Sequence, residues 1–260
     1  MTPRICTHAA TLIAALFFLT GCGKNAAIGG AAGDASASTQ AANAAMAALL
    51  PLDDQKDFED AKRGFVARPS GRVLAADGTV LVDFDAFKFV DGKAPPTVNP
   101  SLWRHAVLNA QIGLFKVTDG VYQLRGFDIA NITLVEGKTG WIVIDTLTAK
   151  ESAAAAMAFA RQHLGNKPVT AIVFTHSHAD HVMGLDELRR FNAVKGAAIP
   201  VHADADTAGE LTRIFSYAFR AASGPGGGVP ELELSVIDGP FEAAGVAVVP
   251  VPLLHGRRPI

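Results

Sequence analysis

Three histidines and an aspartate fall within six consecutive positions, His176, His178, Asp180 and His181, in the stretch "FTHSHADHVMG" (174–184). Imidazole and carboxylate are the ligands zinc prefers, and iron or manganese accept the same donors. In an extended segment leaving a strand, residues two apart face the same way, so His176 and His178 can converge on one cation. Asp180 and His181 are adjacent; where a helix starts at that point they face a second, nearby position. Two metals so placed can share a water, which loses a proton near neutral pH and becomes a nucleophile. A lone His-x-His pair occurs by chance in polar loops. His-x-His-x-Asp-His behind a buried strand is far more specific, and it reads as a metal centre.

The elements that must position this cluster are legible around it. "VTAIVFTH" (169–176) is short and almost wholly apolar, as expected of a strand buried on both faces. Before it, "AKESAAAAMAFARQHLG" (149–165) carries strong helix formers and stops at Gly165. Earlier still, "GVYQLRG" (120–126), "NITLVEG" (131–137) and "GWIVIDT" (140–146) read as a meander of strands. The layout is α/β, with its chemistry at the carboxyl end of a strand. Upstream, 53–66 reads as a helix with its acids early and Lys62 and Arg63 late, as the helix dipole favours. Residues 71–84 form a hairpin around Asp77-Gly78, and 101–115 form a helix. Downstream, 185–192 and 205–222 are helical, whereas 198–203, 232–237 and 246–256 are strand-like around a "GPGGG" loop at 224–228.

The 260 residues are 49% hydrophobic and 18% charged, with a formal net charge of -2. That balance holds no basic excess, which argues against nucleic acid as a partner. Residues 1–22 stand apart from the fold: Arg4, then an apolar run from Thr11 to Leu19, then small residues before Cys22. This has the shape of a secretion signal, too short to span a bilayer comfortably. Leu19-Thr20-Gly21-Cys22 looks like a bacterial lipobox, which makes Cys22 the lipidated first residue of an exported, periplasmic, membrane-anchored protein. Cys6 then leaves with the signal, and no disulfide remains. Residues 23–49 have the Ala/Gly/Ser-rich composition of a tether, although the alanines can turn helical. Residues 50–260 form the remaining domain.

The His-x-His-x-Asp-His run resembles the signature of the metallo-β-lactamase fold superfamily. The resemblance implies an αββα sandwich with one or two metal ions, zinc foremost and other divalent ions possible, along one edge. It matches Asp145, which ends "WIVID", to the family's early aspartate behind the site. A second role for Asp145 is the N-cap of the helix at 149–165. The next ligand by this resemblance is His255, which follows an apolar run and precedes Gly256. His105 and His163 sit on helices as surface or capping residues; His202 follows "IPV" and can line the cleft.

From residue 50 to the cluster, the phrases "DFEDAKRGFVA", "PTVNPSLWRHAVLNAQIGLFKVTDGVYQLRGFDIANITLVEGKTGWIVIDTLT" and "VFTHSHADH" resemble the alkyl sulfatase branch. This implies hydrolysis of sulfate esters such as dodecyl sulfate, with metal-activated water as nucleophile and Asp180 orienting it, and a homodimer. After His181, "IPVHADADTAGELTRIFSYAFR" and "VVPVPLLHGRRPI" resemble small phosphodiesterases of the same superfamily. The chain reads as two branches joined at the motif they share, a natural fusion or an assembly chimera. It ends five residues after His255, without counterparts of the family's later bridging aspartate and final histidine. The expected sandwich is therefore incomplete at its C-terminus. Three activities follow as expectations: a sulfate-ester hydrolase, a phosphodiesterase, or a non-catalytic lipoprotein fragment.

Overall fold

The computed structural model describes residues 34–188, 191–192, 196–219 and 230–256, and of 255 and 258–259 the backbone alone. The signal, Cys22, the start of the tether and the 224–228 loop lie outside the described residues.

The second half of the expected tether is a helix, α1 (Ala37–Leu49), whose N-cap Ser36 accepts a hydrogen bond from the Thr39 amide. None of its residues is buried, and its alanines are strong helix formers; Asn43 Nδ2 donates to the Pro96 carbonyl at 2.8 Å. Helix α2 (Lys56–Lys62) is shorter than expected because the chain turns at Gly64, where φ is 72°. A Cβ there would lie 1.9 Å from the Lys116 carbonyl oxygen, so glycine alone lets strand β1 (Phe65–Ala67) close against the sheet. The expected hairpin follows as β2 (Arg72–Leu74) and β3 (Val80–Asp83), with Gly78 in the left-handed conformation at its tip. Helix α3 (Pro100–Asn109) ends before 115, since 113–118 pairs as strand β4 (Gly113–Thr118).

The meander continues through β5 (Val121–Arg125), β6 (Ile132–Glu136) and β7 (Trp141–Ile144). Helix α4 (Lys150–Leu164) crosses over to β8 (Val169–Val173). Then come the four-residue α5 (Ala179–Val182), a 3-10 segment (Met183–Leu188) in place of much of the helix expected at 185–192, β9 (Ile199–Ala203) and α6 (Ala205–Ile214). Strand β10 (Leu232–Val236) completes an eight-stranded sheet in the order β1-β4-β5-β6-β7-β8-β9-β10. Its first five strands pair antiparallel, and β7 through β10 pair parallel. The fold is mixed α/β, built on this large sheet.

One sheet face packs on α4 and α6. Leu134, Val143 and Ile172 meet Ala156, Met157, Ala208 and Leu211 there in one core. Residues of opposite parity, Ile142 and Ala171 with Val135 and Val173, point to the other face. There they meet a hairpin of β11 (Phe241–Ala243) and β12 (Val246–Val248). Among the described residues this hairpin is what stands as a second β layer. The run expected as one strand at 246–256 splits, because Pro250 and Pro252 lack the amide a ladder needs. It resumes at β13 (Leu254–His255), paired with β14 (Arg258–Pro259). Among the described residues, no helix is long and apolar enough to cross a membrane.

Candidate metal centre

Strands β7 and β8 are parallel neighbours with Ile144 opposite Val173, so the residues that follow each strand emerge side by side. The Asp145 amide donates to the Val173 carbonyl at 3.0 Å, extending the ladder by one residue. The backbone then turns: Asp145 has φ 58° and Leu147 φ 68°. Aspartate visits this left-handed region readily, whereas leucine pays on the order of 1–2 kcal/mol for it. Full burial of the Leu147 side chain holds it there.

This turn aims the Asp145 carboxylate, only 5% exposed, across the end of β8. Its Oδ1 accepts from the Thr175 amide at 2.9 Å, and its Oδ2 accepts from the Thr175 hydroxyl at 2.8 Å. The same Oδ2 lies 2.7 Å from His181 Nδ1. Three donors thus converge on one buried carboxylate, the arrangement that makes burying its charge tolerable. The hydrogen bond to Asp145 holds the His181 pKa above its ordinary range against the opposing effect of burial, and the Asp145 and Asp180 charges add to it.

His181 reaches that position because His178 starts α5: the amides of His181 and Val182 donate to the His178 carbonyl at 3.0 and 3.2 Å. The carbonyl of His181 in turn accepts from the amide and the hydroxyl of Thr146. His176 Nδ1 lies 3.0 Å from the Thr175 hydroxyl. The His176 ring is 4.6 Å from that of His178 and 4.0 Å from that of His181. Asp180 Oδ2 lies 3.5 Å from His181 Nε2. The four residues of the motif are therefore gathered, with Asp145 behind them.

Among the described residues, no three His, Cys, Asp or Glu side chains surround one point as a preformed ion cage. The donor chemistry nonetheless fits zinc: three imidazoles and a carboxylate, with Nδ1 of His176 and of His181 each in hydrogen-bond range of an oxygen partner. That backing is how zinc-ligating histidines are oriented. The side chain of His255 lies outside the described residues.

Asp145 is not the cap of α4. The N-cap position there is Ala149, which offers no side-chain hydrogen bond, and Asp145 is committed to Thr175 and His181. His105 is exposed on α3, and His163 packs against the Phe159 ring at 4.6 Å. His202 pairs in register with Val173 but stacks on Phe241 at 4.5 Å, on the hairpin side of the sheet. Burial lowers its pKa.

Four supporting residues escape the sequence pattern. Thr175 and Thr146 make the contacts above. Asp128 accepts from the Thr148 amide and hydroxyl at 3.0 and 2.8 Å, tying down the turn after Asp145. The Gly184 amide donates to the Leu147 carbonyl at 2.8 Å, and a Cβ at Gly184 would lie 1.8 Å from the Thr146 carbonyl oxygen. Thr175 and Gly184 flank the His-x-His-x-Asp-His run, and their types and spacing do not distinguish them from any strand-end threonine or turn glycine.

Residues 125–255, half of the chain, match the metallo-beta-lactamase superfamily, and the chain belongs to it. Within it, the chain is 45% identical over 170 residues to an (R)-specific secondary-alkylsulfatase from Pseudomonas sp, a match covering 65% of this chain and 26% of that protein. It is 42% identical over 166 residues to the alkyl/aryl-sulfatase BDS1 of Saccharomyces cerevisiae, 63% of this chain and 26% of the relative. The solved structure of the stereoselective inverting sec-alkylsulfatase Pisa1 from Pseudomonas sp. superposes with a TM-score of 0.63 at 42% identity, over 70% of this chain and 29% of the other. The matched segment is about a quarter of the length of these sulfatases.

Proposed function

We propose that this protein is a zinc-dependent hydrolase of sulfate esters, acting on alkyl sulfates such as dodecyl sulfate. The observation that carries the reading is its 40–45% identity to three sulfatases over 166–172 residues. His176 and His178 hold one ion, and His255 is assigned to it as well; Asp180 and His181 face a second position. Zinc, when bound, supplies the positive charge that polarises the ester and lowers the pKa of water. Asp180, beside His181 Nε2, orients the attacking water and receives its proton. Asp145 keeps the His181 ring turned so that Nε2 faces the centre. Thr146 and Asp128 hold the two turns on which these side chains ride.

The test is sulfate release from dodecyl sulfate by the zinc-loaded full chain, with bis(4-nitrophenyl) phosphate alongside and His178→Ala as control. Sulfate release that the variant loses supports the proposal. Faster cleavage of the phosphodiester assigns the chain to the phosphodiesterase reading instead. No turnover of either ester by a zinc-loaded chain overturns hydrolysis altogether.

The same proposal places the protein outside the cytoplasm, held to the membrane through a lipid on Cys22. Cys22→Ser then moves the protein from the membrane to the soluble fraction; unchanged fractionation removes the anchor.

A further inference from the structure

We infer that Thr175 is a positioning residue whose one hydroxyl, shared between Asp145 and His176, sets the tautomer of His176 and links it to His181 through a common carboxylate. The inference rests on the metal centre proposed above and concerns how its protein side is prepared.

The ionised carboxylate of Asp145 has no hydrogen to give and can only accept. Thr175 places both of its donors on it, the amide on Oδ1 at 2.9 Å and the hydroxyl on Oδ2 at 2.8 Å. A hydroxyl has a single hydrogen. With that hydrogen directed at Asp145, the contact between Thr175 Oγ1 and His176 Nδ1 at 3.0 Å needs a hydrogen from the ring. The opposite arrangement, with Thr175 donating to His176, would set lone pairs of Oγ1 and Oδ2 against each other across 2.8 Å at a buried carboxylate. His176 is therefore the Nδ1–H form, and its Nε2 keeps the lone pair that a metal requires.

The same Oδ2 accepts from His181 Nδ1 at 2.7 Å, which leaves the lone pair of neutral His181 on Nε2. One carboxylate oxygen thus orients rings assigned to two different ion positions, directly for His181 and through a hydroxyl for His176. Threonine suits the task because its branched Cβ restricts χ1. Its amide bond to Oδ1 fixes the backbone from which the hydroxyl projects. Thr175 itself is exposed, so exchanging it leaves the core intact.

The experiment uses the metal-free full chain with 15N-labelled histidine. Long-range 1H–15N spectra near pH 8 read each tautomer, and competition with a chelator reads zinc affinity. The wild type is expected to show Nδ1–H at both His176 and His181. Thr175→Val should release His176 from that form, leave His181 as it is, and weaken zinc binding about 10–100-fold, the usual effect of losing such a backing contact. Thr175→Ser, which keeps the hydroxyl, should restore both readouts. An Nε2–H signal for His176 in the wild type overturns the inference, whether or not the valine variant folds. So does a valine variant whose tautomer and zinc affinity are unchanged. A wild type that binds no zinc sinks the proposed function, while the metal-free spectra still judge the relay.

Discussion

Gly184 carries no reactive group, yet exchanging it for alanine tests how the centre is held. An added Cβ would lie 1.8 Å from the Thr146 carbonyl oxygen and 3.1 Å from Ala153 Cβ. Relief to 3.0 Å needs a shift of about 1.2 Å between two backbone segments. Those segments are bonded to each other: the Gly184 amide donates to the Leu147 carbonyl at 2.8 Å, and the amide and hydroxyl of Thr146 both donate to the carbonyl of His181. Overpacking costs roughly 1–3 kcal/mol, and each hydrogen bond opened adds about 1 kcal/mol. Gly184→Ala should therefore lose about 3 kcal/mol, or about 6–12 °C in Tm for a domain of this size. Because the strained contact ends on Thr146, whose amide and hydroxyl hold the His181 carbonyl, zinc affinity should fall with stability. Thermal melts by circular dichroism on the metal-free protein, paired with chelator competition, read both. A variant within about 2 °C of wild type and with unchanged zinc affinity would refute the claim that α5 is clamped against the β7 turn.

Three further predictions follow from the same structure. Asp145→Asn puts an amide where three donors point, so zinc affinity should drop about 10–100-fold, read by chelator competition, and His181 should titrate at lower pH by NMR. His202 has a folded pKa lowered by burial, so its contribution to stability is complete above about pH 6.5 and is lost as pH falls toward the lowered value. His202→Phe keeps an aromatic ring against Phe241 and should flatten the fall of stability between pH 7 and 5, removing a slope of up to about 1.4 kcal/mol per pH unit in urea titrations. Saturating zinc should raise Tm in proportion to the logarithm of its excess over Kd, and the double variant His176→Ala/His178→Ala should show no such rise.

The sequence made the strands legible where their hydrophobic pattern was undisturbed. The runs at 120–126, 131–137, 140–146 and 169–176 each contain a strand, and the helix at 149–165 matches α4 to within a residue at each end. Boundaries moved where a tertiary contact outweighed local pattern. Gly64 ends α2 early because β1 must approach Lys116, and the last residues of the helix expected at 101–115 are drawn into β4. His176, His178, Asp180 and His181 were legible as candidate ligands because they lie within six consecutive positions, a spacing that survives in one dimension. Thr175, Thr146, Asp128 and Gly184 act on partners 30–37 positions away, or 20 for Asp128, and only the pairing of β7 with β8 and the turn behind it bring them together. Long-range hydrogen bonds leave no periodic trace in a chain.

The central claim is that the clustered histidines hold a metal. Zinc content per chain, measured by elemental analysis of the dialysed full-length protein and of His176→Ala/His178→Ala, tests it most directly. At least one zinc per wild-type chain, with none in the variant, is the predicted result. A wild type that retains no zinc, or a variant that retains as much as the wild type, would contradict it.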